Sequence, residues 1–198
     1  MKLLPVLLLA VLQITAVRAA VILDTGAITF SATGTQFGRI SRNGVSSTWG
    51  SVKDFPGVTG APTARGYEIF TINNGGLPFL QISLDDPTTG LFVSAYLDSF
   101  NPVNVGPLYG LDVNYLGDPG LSQPVGVPSF FQIQVPLNSQ IVIPINEVNS
   151  GAGAGRPFDL VVEGFYDANY SEVPEPGSLA LFAAGVAAMS VMRARARR

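Results

Sequence analysis

The sequence predicts an all-β fold, an antiparallel β-sandwich of jelly-roll-like form, flanked by an N-terminal signal peptide and a C-terminal transmembrane helix. Three observations carry the sandwich. Short segments through the middle of the chain alternate apolar and polar residues with a period of two, the pattern of a half-buried strand. Clusters of Gly, Pro, Asn and Asp separate these segments at spacings of roughly 8–15 residues, as in sandwich domains. No stretch of the central region has a helical apolar period with caps at its ends.

Taken in order, Ile28 to Ala32 is a weak strand candidate, and Gly34 to Pro62, rich in Gly, Ser, Thr and Pro, has little pattern. Alternation becomes clear at Tyr67 to Ile72, Phe79 to Leu84 and Leu91 to Leu97. Leu111 to Tyr115 is a second weak candidate; Phe131 to Val135, Gln140 to Ile145 and Phe158 to Glu163 complete about seven to nine strands. Turn clusters lie at Asn73–Gly76, Asp85–Pro87, Gly117–Gly120 and Gly151–Gly155. Pro144 has no N–H to give a ladder, which predicts an edge position for its strand.

The two ends have a different character. Lys2 precedes an apolar core, Leu3 to Leu12, and a more polar stretch closing on Val17-Arg18-Ala19. This is the pattern of a secretory signal peptide (1–19), with Val17 and Ala19 as the small residues read by signal peptidase and cleavage between Ala19 and Ala20. An apolar core of about ten residues is too short to span a bilayer, which needs about 20. At the other end, Pro174-Glu175-Pro176 closes a linker (171–176) and introduces an uncharged segment, 177–192, that rises about 24 Å as a helix. Snorkelling arginines and local thinning let such a span cross the inner membrane. Ser178 is placed to cap it, and Arg193, Arg195, Arg197 and Arg198 form a cytoplasmic anchor at 193–198.

Val173-Pro174-Glu175-Pro176-Gly177-Ser178-Leu179-Ala180-Leu181, the Gly/Ala/Leu-rich span and the terminal arginine cluster resemble the PEP-CTERM sorting signal. The resemblance implies a Gram-negative source, export by signal peptidase cleavage, transient anchoring in the inner membrane and processing by exosortase. It also implies association with cells that make exopolysaccharide, as in a biofilm matrix. Within the body, Gly38-Arg39-Ile40-Ser41-Arg42-Asn43-Gly44, Phe55-Pro56-Gly57, Ala95 to Pro102, Tyr115-Leu116-Gly117-Asp118 and Val135-Pro136-Leu137 resemble a surface-protein β-sandwich module of pre-peptidase C-terminal type. That likeness implies the fold alone.

Between the signal and the tripeptide lie roughly 155 residues, one domain with a sizeable core, placed here at 20–170. Of 11 Lys+Arg, six sit in the signal and tail, and of 14 Asp+Glu, Glu172 and Glu175 sit in the linker, leaving five against 12 and a body near −7. Such a surface repels nucleic acid and anionic lipid. With no Cys and no His, Ser-His-Asp and Cys-His nucleophile systems and zinc-finger sites are excluded. A carboxylate pair or an oxygen-ligand calcium site remains.

Asp112, Asn114 and Asp118 gather oxygen ligands of the kind calcium takes, though without EF-hand spacing, and Asp and Asn before Gly and Pro equally serve turns. Asp85-Asp86-Pro87 reads the same way. Gly151 to Gly155 lacks the Lys-Ser/Thr of a phosphate loop and reads as a flexible hairpin loop. Glu68, Glu147 and Glu163 are the carboxylates of a glycosidase-like pair or simply solvated strand faces. Trp49, Phe100 and Tyr109 are candidates to stack on sugar rings, or rim packing. Ala180, Ala184 and Ala188 make a small-residue stripe in the span. Asn169, in Asp167-Ala168-Asn169-Tyr170-Ser171, is a glycosylation acceptor by its Asn-x-Ser form. The expectation is a non-enzymatic surface or matrix protein without cofactor, structural or adhesive in an exopolysaccharide layer; the alternatives are a carbohydrate- or calcium-binding module and a carboxylate-based glycosidase.

Overall fold

The computed structural model describes residues 19–51, 53–105, 108–122 and 128–168. The signal peptide up to residue 18, Asn169, the tripeptide, the apolar span and the arginine cluster lie outside the described residues. Thirteen strands are described: β1 Ala20–Asp24, β2 Ile28–Thr29, β3 Gly34–Ile40, β4 Val58–Asn73, β5 Phe79–Asp85, β6 Leu91–Val93, β7 Ala95–Leu97, β8 Asn104–Val105, β9 Leu108–Tyr109, β10 Tyr115–Gly117, β11 Ser129–Gln134, β12 Gln140–Glu147 and β13 Pro157–Phe165. They form two main antiparallel sheets. Sheet I has the order β1-β13-β5-β11, with β2 also on β13; sheet II has the order β10-β7-β12-β4-β3, with β6 also on β12. A small β8–β9 hairpin stands apart from both. Among the described residues no helix is long and apolar enough to cross a membrane.

Period-two patterning builds the interior. β5 buries Leu80, Ile82 and Leu84, β13 buries Phe158, Leu160 and Val162, and β11 buries Phe131 and Ile133. Across from them sheet II contributes Ile72, Leu91, Val93, Ile141, Ile143 and Ile145 to the same cluster. Each such side chain contributes about 1.5–3 kcal/mol on burial. Sheet II is covered on its other side too: Ile40, Phe92, Tyr96, Val142 and Val148 form a second cluster, joined by Phe55, Phe100 and Tyr115. Every residue of β12 after Gln140 is therefore buried. Sheet I keeps an outer face that no described strand packs across.

Three expectations change on this architecture. β12 is central, between β4 on one side and β6 and β7 on the other, so Pro144 does not mark an edge. The Ser94 N–H donates to the Pro144 carbonyl at 3.2 Å. The return bond is missing because proline has no N–H, and the facing chain breaks there into β6 and β7. Leu111 to Tyr115 is not a strand: Gly110–Asp112 is a turn of 3-10 helix and Asn114 takes φ 61° before β10 starts. The weakly patterned stretch 34–62 holds β3 and the start of β4, paired as a ribbon. Residues 59–64 of that ribbon are exposed, so no alternation announces it.

Candidate functional site

The outer face of sheet I is built from residues one step out of phase with the core. Register places Gln132 opposite Gln81 and Gln81 opposite Glu163. Their side chains are hydrogen-bonded in series: Gln132 Nε2 donates to Gln81 Oε1 at 3.1 Å, and Gln81 Nε2 donates to Glu163 Oε2 at 3.2 Å. The row crosses three strands, about 10 Å at ordinary strand spacing. On one side of it Phe79 and Phe165 face each other in register. Trp49 lies edge-on to both, with ring centroids 5.8 and 5.0 Å away. On the other side is Phe130, opposite Ser83 and 54% exposed.

The row ends at a small open cleft lined by Trp49, Ser51, Lys53, Tyr115, Gln132 and Gln134 among others. The cleft exists because the segment 46–51 folds over the β11 edge: Gln132 N–H donates to Ser47 O at 3.0 Å and Ser46 Oγ to Phe130 O at 3.1 Å. This blunts an edge strand. Trp49 Nε1 donates to Leu80 O at 3.0 Å, which fixes the indole at the cleft rim.

Beneath the cleft Asp118 ties four pieces together. Its Oδ1 receives Lys53 Nζ and the Gly120 N–H, each at 2.5 Å, and its Oδ2 receives the Tyr115 hydroxyl. The Asp118 N–H donates to Ser47 Oγ at 3.1 Å. Ammonium and carboxylate are both buried. Gly120 is required: its φ is +74° and a Cβ would lie 2.3 Å from Val45 O. Burial first, then the Asp118 charge, raises the Tyr115 phenol well above its usual range. Burial likewise raises Tyr96, whose hydroxyl donates to Leu111 O at 3.1 Å.

A second buried carboxylate, Glu147, is clamped by backbone. Its Oε2 receives the N–H groups of Gly66 (2.9 Å) and Gly151 (3.0 Å), and its Oε1 that of Gly153 (3.1 Å). The glycine run 151–155 is thus an anion cradle for the protein's own side chain. Asp86, also buried, receives Thr88 N, Thr88 Oγ1 and Leu91 N at 2.9, 2.5 and 2.7 Å and shapes the turn after β5.

The structure does not gather the remaining candidates. Asp118 faces an ammonium, while Asp112 and Asn114 are exposed, and Asn114 Nδ2 donates to Ser99 Oγ at 3.0 Å. Among the described residues no group of three or more acidic side chains could hold a metal ion. Glu147 belongs to sheet II, Glu163 to the outer face of sheet I, and Glu68 accepts from Ser31 N at 3.2 Å. Phe100 packs on Tyr67 and Tyr96 at 5.3 and 4.9 Å. Trp49, one of the three aromatic candidates, lines the cleft. Ala20, the first residue after the expected cleavage, is the first residue of β1, opposite Gly164. The glutamine row escaped sequence reasoning because its members are some 30–80 residues apart and register alone aligns them.

Residues 172–198 match the PEP-CTERM protein-sorting motif; the sandwich lies outside the match. No curated protein matches the chain. The second resemblance, to pre-peptidase C-terminal-type domains, gains no support from these comparisons. By its C-terminal segment, then, the chain carries the PEP-CTERM sorting motif, the signal of exported proteins sorted by exosortase.

Proposed function

We propose that this chain is a surface or extracellular-matrix protein whose sandwich is a structural or adhesive passenger in an exopolysaccharide layer. The sorting motif at 172–198 carries the reading. In it a signal peptide starts export, the 177–192 span and arginine cluster hold the chain briefly in the inner membrane, and exosortase acts near Glu175. Two prolines support that role, since each fixes φ and keeps its predecessor extended, presenting Glu175 to an enzyme on the exported side. The body supports a non-catalytic role: the buried Lys53, Asp118, Glu147 and Asp86 side chains are all engaged in internal bonds.

The test is fractionation of the protein from an exosortase-bearing host and from the same host lacking exosortase. The parent should yield body at the surface or in the medium, and the deletion strain should hold the full chain in its membrane. The same distribution in both strains overturns the proposal.

A further inference from the structure

We infer that the outer face of sheet I, from the Trp49 cleft across Gln132, Gln81 and Glu163, binds an uncharged glycan chain. The inference rests on the exported reading for the ligand's availability, and on the geometry for its chemistry. A sugar polymer presents two kinds of surface, hydroxyl edges that donate and accept and C–H faces that are apolar. The face described above offers both in adjacent rows. Gln132 and Gln81 each use one amide hydrogen in the row, at 3.1 and 3.2 Å, and a primary amide carries a second. An amide oxygen and a carboxylate oxygen likewise accept more than one bond. The row is therefore held in place by its internal bonds and still has donors and acceptors for hydroxyl pairs.

Apolar surface flanks it on both sides. Trp49 stands at one, fixed by Leu80 O and braced on Phe79 and Phe165; Phe130 stands at the other, more than half exposed although its strand neighbours Phe131 and Ile133 are buried. An indole pinned by its N–H loses little freedom when a ring stacks on it. Charge selects the class of glycan. Glu163, Asp85, Asp159 and Asp24 lie on or beside this face and the body is near −7, so acidic polysaccharides and phosphate-bearing chains are repelled. Lys53, the cation nearest the cleft, is neutralised by Asp118. An uncharged polymer meets neither penalty.

The experiment is affinity electrophoresis of the full-length chain, purified in mild detergent, through gels containing hydroxyethylcellulose, mixed-linkage β-glucan, dextran or alginate. Retardation is expected in at least one of the three neutral polymers and not in alginate, and should persist in about 0.5 M salt, where surface electrostatics are screened. Gln81→Ala and Trp49→Ala should each weaken association about tenfold, the loss of one well-formed contact. The outer-face position of Gln81 makes a folding failure separable by melting temperature, and Asp112→Ala, on an exposed turn that belongs to neither the row nor the cleft lining, should bind as the parent does. No retardation in any neutral polymer overturns the inference, as does retardation that both variants leave unchanged, or binding to alginate alone. None of these outcomes bears on sorting, which the fractionation experiment reads independently.

Discussion

Replacing Lys53 by methionine isolates the energetics of the centre beneath the cleft. The variant keeps the stem and its packing and removes the ammonium 2.5 Å from Asp118 Oδ1. Asp118 has no exposed surface, so water cannot take the place of Nζ. Breaking a buried pair by deleting one partner costs about 3–5 kcal/mol. The Gly120 N–H and the Tyr115 hydroxyl remain on the carboxylate, which holds the loss to the lower part of that range, about 3 kcal/mol. For a body of this size that corresponds to a fall in melting temperature of about 6–12 °C. Thermal and urea unfolding of the exported body, followed by far-ultraviolet circular dichroism, measures it. The double variant Lys53→Met/Asp118→Asn should recover most of the loss, because an amide keeps the acceptor without the buried charge. If the single variant costs under about 1 kcal/mol, at the level of an exposed pair, the centre does not organise the cleft.

Four further outcomes follow from the same structure. The raised phenol of Tyr96 makes the protein sensitive to alkali: above pH 10 the unfolded chain releases this proton and the folded chain keeps it. Its contribution is thus complete below pH 10 and falls by about 1.4 kcal/mol per pH unit above it, with Tyr115 adding in the same direction; an unfolding midpoint in urea unchanged between about pH 9.5 and 11 contradicts this. Gly153→Ala puts a methyl 2.7 Å from Leu91 and 2.9 Å from Phe30 beside the Glu147 clamp, and should cost about 2 kcal/mol through overpacking, read by urea denaturation. Because Asp118 is committed to Lys53, millimolar calcium should leave the melting curve where EDTA leaves it, and a rise of several degrees would show a site that binds the native state. Circular dichroism of the body should give a β spectrum, and helix above about a third of residues would refute the fold.

Strands with one face on the core could be read directly from sequence, as with Leu80, Ile82 and Leu84 alternating with Gln81 and Ser83. Where both faces are buried, as in β12, alternation carries no information about sidedness, and Pro144 pointed to an edge that tertiary structure did not need. The β3–β4 ribbon was hidden for the opposite reason: much of it faces solvent, and Thr, Gly and Ala leave no periodic signal. Asp112-Val113-Asn114 allowed a strand, a calcium loop or a turn on local chemistry, and it forms a turn, with Asn114 in the left-handed region. Of the candidate site, Trp49 was visible as a loop aromatic. Its partners were not, because contacts such as Lys53 with Asp118 span 65 residues and follow from topology. The glycine run 151–155 was visible too, but its role as a clamp depends on Glu147 reaching it.

The sorting claim is tested most directly by the intact mass of the protein recovered from the surface or medium of an exosortase-bearing host, beside a Glu175→Ala variant. The wild-type mass should lack the 177–192 span and the arginine cluster, and the variant should retain both and stay in the membrane. Wild-type protein that still ends at Arg198 would contradict it and make the tail a plain anchor.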